Sequence, residues 1–254
     1  MNIGGFQKNS LIDFPETIAC VVFTSGCNFI CPYCHNPELV AGPLKKTGSL
    51  YDKNEIFKFL ETRKGLLEGV VITGGEPTLQ KDLIEFCKKI KGMGYKIKLD
   101  SNGTRPDILA ALLNSGLVDF ISMDIKTSLE NYHLVIPKKN NTGKVVTDNI
   151  DTYKTGTEKF DSGMIIKSIQ LLMDKAPLYE FRTTCSKPFV DKEIMHDIGT
   201  MIKGASKYIL QQCSRNVKVL DSQFLKSDDN FFSDSQMFDL KNIIDKYVVS
   251  SIVR

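Results

Sequence analysis

Residues 17–36 read TIACVVFTSGCNFICPYCHN, an apolar β-branched run over 17–24 followed by a loop with Cys27, Cys31 and Cys34. The run predicts a buried strand. Working outward, the same kind of run recurs as VVIT (70–73), YKIKL (95–99), VDFISMDI (118–125), LYEFRTT (178–184) and KYILQQ (207–212). Helical stripes fall between them. Asp52 and Glu55 bracket a helix start, Ile56, Phe59 and Leu60 share a face, and Gly65 stops it. Leu83, Phe86, Cys87 and Ile90 repeat at helical spacing before Gly92, and Pro106 opens a helix with Leu109, Leu112 and Leu113, closed by Gly116. Ile165, Ile169 and Leu172 form the next stripe, then Ile194, Met195, Ile198, Met201 and Ile202 up to Gly204. A last helix carries Met237, Leu240, Ile244 and Tyr247, with YVVSSIV (247–253) as a terminal strand. Six strands alternating with helices predict an α/β fold with a parallel sheet and right-handed crossovers. The segment 137–160 breaks the rhythm: it holds five Thr and five Lys but only Val145, Val146 and Ile150 as aliphatics, which predicts an exposed insertion within a single domain, 1–254.

In parallel α/β folds ligands bind at the C-terminal ends of the strands. The unusual residues of this chain collect there. The cysteine loop follows the first strand, and Gly74, Gly75, Glu76 and Pro77 follow the second. The third ends in Asp100, Ser101, Asn102 and Gly103, the fourth in Asp124 and Lys126, the fifth in Arg182, Thr183 and Thr184, and the sixth in Gln211 and Gln212. Six polar clusters on one rim predict an active site.

The seven cysteines are an odd number, with Cys20, Cys87, Cys185 and Cys213 scattered and three clustered. That distribution points to metal or redox chemistry in a reducing, cytoplasmic setting rather than to a disulfide framework. The opening MNIGGFQKNSLIDFPE does not read as a signal peptide, and no apolar run reaches the roughly 18 residues of a membrane-spanning helix. Thirty-three basic against 30 acidic residues leave a net charge of +3, too near balance to mark a nucleic-acid partner. Three thiolates spaced C-x3-C-x2-C hold either zinc or an iron–sulfur cluster. A structural zinc site wants four closed ligands, and His35, adjoining Cys34, makes a poor fourth. A four-iron cluster on three cysteines leaves one iron open for a cofactor or substrate. Cys20 and Cys87 read as core residues, and His133 and His196 as surface residues. Cys185 and Cys213 follow strands on the rim, but no C-x2-C pairing supports a second cluster.

The motif C-x3-C-x2-C with Tyr33 before its last cysteine, followed by TGGEP (73–77), resembles the radical S-adenosylmethionine (SAM) superfamily. TSGCNFICPYCHNPELV (24–40), DSNGT (100–104) and MDIK (123–126) resemble the activating enzymes of glycyl-radical proteins, above all the activators of anaerobic ribonucleoside-triphosphate reductase, with pyruvate formate-lyase activators close behind. The resemblance is strong over about 11–126 and looser over 161–212. It implies a partial (βα)6 barrel, open on its side to admit a partner's glycine loop. It further implies a [4Fe–4S] cluster on Cys27, Cys31 and Cys34. Reductive cleavage of SAM would give a 5′-deoxyadenosyl radical, which takes the Cα hydrogen of a partner glycine. Tyr33 would lie by the adenine, while Gly74, Gly75 and Glu76 would hold the methionyl amino group. Asp100, Ser101 and Asp124 match positions that bind a monovalent cation beside the methionyl carboxylate, where two carboxylates facing an anion would otherwise repel it. Lys126 and Arg182 are cation candidates for that carboxylate or for the partner's backbone. Asp13 in LIDFPE (11–16) is a candidate for contact with the glycine loop or a loop cap. The expected partners are anaerobic ribonucleotide reductase and a flavodoxin or ferredoxin as electron donor. Two rivals remain: a small-molecule enzyme such as 7-carboxy-7-deazaguanine synthase, and a non-catalytic zinc-binding interaction module.

Overall fold

The computed structural model describes residues 1–40, 51–139, 145–146 and 160–254. Most of the insertion expected at 137–160 lies outside the described residues. In chain order the elements are β1 (Ile3–Ser10), β2 (Ala19–Thr24), α1 (Pro37–Val40), α2 (Lys53–Glu61), β3 (Gly69–Gly74), α3 (Leu83–Gly92), β4 (Lys96–Ser101), α4 (Pro106–Asn114) and β5 (Phe120–Asp124). They continue with β6 (Lys138–Lys139), β7 (Val145–Val146), α5 (Gly163–Lys175), β8 (Tyr179–Cys185), α6 (Lys192–Met201), β9 (Tyr208–Gln212), α7 (Asp234–Ile244) and β10 (Ser251–Val253).

One sheet has the order β1-β2-β3-β4-β5-β8-β9-β10, and β6 and β7 form a separate two-stranded ladder. The six strands expected from the sequence are β2, β3, β4, β5, β8 and β9, contiguous and mutually parallel. β10 extends this array in parallel on one edge, while β1 pairs antiparallel with β2 on the other. The two edges do not pair among the described residues, so the sheet is an open partial barrel. β1 carries no readable pattern: only Ile3 and Ser10 of its eight residues are buried, and two register shifts interrupt its ladder.

Successive strand residues face opposite sides of a sheet, and this separates two cores. The outward side chains, among them Cys20, Val22, Ile72, Leu99, Met123, Phe181 and Leu210, pack under the apolar stripes of the helices as the main core. The inward set is different. Ala19, Val21, Val71 and Phe120 form a small cluster closed by Phe14 from the β1–β2 loop, whose ring stands 6.1 Å from that of Phe120. Further along the same inward face the residues are polar: Lys98 and Asp100 on β4, Ser122 and Asp124 on β5, Glu180 and Arg182 on β8. The barrel therefore has an apolar plug at the N-terminal ends of its strands and a charged floor towards their C-terminal ends.

Candidate active site

A cavity of about 230 Å³ opens at the C-terminal ends of the strands. Cys27, Cys31, Tyr33, Cys34, Gly74, Gly75, Glu76, Asp100, Ser101, Asp124, Lys126 and Arg182 all line it, as do His35, Asn102, Thr184 and Gln211. The cysteines, Tyr33, the glycine turn with Glu76, and the charged strand ends singled out from the sequence thus meet in one place.

The glycines join the first two strand ends. Gly74 has φ +114°, which favours glycine, and a Cβ on Gly75 would stand 2.2 Å from the Gly26 carbonyl oxygen. That closeness lets Gly75 N donate to Thr24 O at 2.8 Å and Glu76 N donate to Gly26 O at 2.7 Å. Glu76 itself is buried and heavily engaged. Oε1 accepts from Thr78 N, Thr78 Oγ1 and Ser101 Oγ, and Oε2 accepts from Asn102 N. Burial raises its carboxyl above the ordinary range despite these donors. The side chain ties the end of β3 to the end of β4, so its capacity to accept from a ligand amine is mostly spent.

The cysteine loop is held from two sides. Asn102 Nδ2 donates to Asn28 Oδ1 at 2.8 Å, and Asn28 Nδ2 donates to Thr104 Oγ1 at 2.9 Å, clasping the loop to the turn after β4. On the other side Leu220 N donates to Cys34 O and Asp221 N to Pro32 O, so residues 214–232 lie as a strap against the loop. Tyr33 is 3% exposed, its ring 5.0 Å from Phe189 and 6.1 Å from Phe224 of the strap. It lines the cavity and packs the strap at once. Neither the strap nor the Asn28 clasp stands out in the sequence, because both depend on isolated residues with no period.

The thiols fit a cluster. Burial pushes Cys31 up to about 11 and raises Cys27 and Cys34, while the Lys126 ammonium draws Cys31 and Cys34 back towards the thiolate. Among the described residues no three His, Cys, Asp or Glu side chains are grouped to hold one metal ion. A single zinc needs every sulfur about 2.3 Å from one point. A multi-iron cluster takes each sulfur on a different iron, which suits thiols spread around a cavity wall.

The floor opposite is a charge network. Arg182 Nε lies 2.8 Å from Asp124 Oδ1 and its Nη1 lies 3.5 Å from Asp100 Oδ2, so the guanidinium spans both carboxylates. Lys126 Nζ pairs with Asp124 at 2.9 Å, and Lys98 Nζ pairs with Asp100. Burial works against the charged carboxylates, but Arg182 and Lys126 hold Asp124 far below the ordinary range, and Arg182 and Lys98 hold Asp100 below it. Lys98 escapes a sequence reading: the alternation of YKIKL suggests a solvent-facing lysine, whereas its polar face is the inside of the barrel.

The remaining candidates lie elsewhere. Cys20 and Cys87 are fully buried, and Cys185 and Cys213 are buried in the main core rather than on the cavity wall. His133 and His196 are exposed. Asp13, in the β1–β2 loop, accepts a hydrogen bond from Ser10 Oγ at the end of β1.

Comparison with known proteins agrees with this geometry. The family model described as the radical SAM superfamily matches residues 21–166. A Methanocaldococcus jannaschii protein named "putative glycyl-radical enzyme activating enzyme" is 29% identical over 253 residues, covering 99% of this chain and 95% of its own. The pyruvate formate-lyase-activating enzyme of Listeria monocytogenes is 35% identical over 133 residues, 49% of this chain and 53% of that one. In fold, the chain is similar to Streptococcus suis SuiB bound to S-adenosylmethionine, with a TM-score of 0.60 at 14% identity over 92% of this chain and 49% of SuiB. The match spans more than half of the residues and includes the cysteine loop, the glycine turn, Asp100 and Asp124; the chain belongs to the radical SAM superfamily, whose enzymes use a [4Fe–4S] cluster and S-adenosylmethionine.

Proposed function

We propose that this chain is an activase that installs a glycyl radical on a partner enzyme, with anaerobic ribonucleoside-triphosphate reductase as the partner. The observation that carries the reading is the cavity, in which three thiols face a floor of fixed cations at the open end of the barrel. Support for the activase type comes from the relative aligned along nearly the whole chain and from the CHNPE and MDIK motifs. When bound, the cluster and SAM supply one-electron cleavage of the sulfonium and a hydrogen-abstracting 5′-deoxyadenosyl group.

The chain's own residues provide placement. Cys27, Cys31 and Cys34 would hold the cluster. The turn at Gly74 and Gly75 brings backbone to the cavity wall without a side chain in the way. Lys126 and Arg182 present positive charge to the methionyl carboxylate, and Tyr33 with the strap closes one wall against water. Asp100, Ser101 and Asp124 set the floor on which those cations are oriented. The electron comes from an external donor of the flavodoxin or ferredoxin type.

The test is direct. Anaerobically reconstituted, reduced protein is mixed with SAM and either ribonucleotide reductase or pyruvate formate-lyase. A glycyl-radical resonance on the reductase, with 5′-deoxyadenosine formed alongside it, is the expected result. Formation only on pyruvate formate-lyase would move the assignment to that partner. SAM cleavage with no radical on either would favour a small-molecule substrate.

A further inference from the structure

Lys98 is a charged floor residue with no role in the reading above. It is 2% exposed, sits on the inward face of β4 two residues before Asp100, and pairs with that carboxylate. Burying an ammonium is costly unless it is paired, and lysine is the more strongly hydrated of the two basic side chains. A lysine kept here must therefore have its charge matched by what surrounds it. Asp100 and Asp124 face Lys98, Lys126 and Arg182, so two negative groups meet three positive ones. Of the other buried carboxylates on this side, Glu76 accepts from four neutral donors, and Glu180 accepts from Ser122 Oγ at 2.9 Å with Lys207 Nζ 3.7 Å away. Each of the two floor carboxylates thus already has two fixed cations beside it, Lys98 and Arg182 at Asp100 and Arg182 and Lys126 at Asp124. A dissolved monovalent cation would compete with these fixed cations for both carboxylates.

We propose that Lys98 is a positioning residue that serves as a built-in counter-ion at Asp100, so that SAM binds this chain without help from dissolved K⁺ or Na⁺. The inference rests on the reading that the SAM carboxylate meets this floor. Without Lys98, Asp100 would keep Arg182 at 3.5 Å as its ion-pair partner among the described residues, and a cation site would open beside the carboxylate.

SAM affinity of the anaerobically reconstituted protein is measured by calorimetry in K⁺, Na⁺ and choline salts of equal ionic strength. The wild type should bind alike in all three. Lys98→Met and Lys98→Gln should bind about tenfold or more weakly in choline and recover in K⁺ or Na⁺, as expected when a buried charge partner is lost and replaced. As a second readout, thermal melting of the cluster-free variants should rise with K⁺ over choline, while that of the wild type should not. Loss of wild-type affinity in choline would overturn the proposal, and so would a variant defect that neither cation repairs. If both variants fail to fold, the wild-type comparison still decides. Absence of SAM binding in every salt would instead remove the functional reading on which the inference rests.

Discussion

At the scale of single residues the site is built on contacts with no slack. Gly75 illustrates this, because its missing Cβ is what lets the β2 and β3 ends share hydrogen bonds. Gly75→Ala should destabilise the protein by about 1–3 kcal/mol, the usual cost of forcing an atom into packed backbone. Urea unfolding would show this as a lower midpoint, and an unchanged midpoint would mean that the turn relaxes freely. Asp124 carries a pH signature. Arg182 and Lys126 lower its folded-state value against the cost of burial, and Asp100 is lowered likewise. The unfolded chain therefore binds protons first as pH falls. The stabilisation is complete above the unfolded value of about 3.9 and is lost as pH drops through the depressed folded values. Asp124→Asn should cost about 1–3 kcal/mol at neutral pH, less than a fully buried pair because the side chain stays 26% exposed. It should also flatten the loss of stability below about pH 4, measured by urea midpoints across pH.

Among the elements, the strap of residues 214–232 is the one that the sequence hides and the site depends on. Phe224 anchors it, 7% exposed, with ring contacts to Tyr33, Phe189 and Phe231. Phe224→Ala should cost about 3–5 kcal/mol, the range for removing a buried aromatic ring. It should also speed release of iron from the loaded protein to a chelator. Destabilisation without faster release would show that the strap supports the fold but does not shield the cluster loop. The strands of the barrel were far easier to read than this strap. VVIT, KYILQQ and their companions are short apolar runs bounded by glycine and polar residues, and each fell within a residue or two of its observed ends. β1 was not readable because an edge strand that buries only its ends leaves no alternation. YVVSSIV yields a strand only at Ser251–Val253, since the turn after α7 runs on through Val249, whose N–H bonds to Ala205 O.

For the molecule as a whole, the arrangement separates a stabilising end from a reactive one. Helices cover the outside of the open barrel, Phe14 and Phe120 plug its inside, and charge and thiols are gathered at the C-terminal ends of the strands. The site residues were legible because cysteines, paired glycines and acidic strand ends are rare and fall at regular intervals. Their partners were not. Lys98, Asn28 and Thr78 are ordinary residues whose meaning comes from which face of a strand or which loop they meet. The central claim, that this cavity holds an iron–sulfur cluster with an open iron for SAM, has one most direct test. Iron content and electron paramagnetic resonance are recorded on anaerobically reconstituted, reduced protein before and after SAM is added. The account predicts about four irons per chain and a reduced-cluster signal that changes when SAM binds. Zinc without iron after reconstitution, or a cluster signal indifferent to SAM, would contradict it.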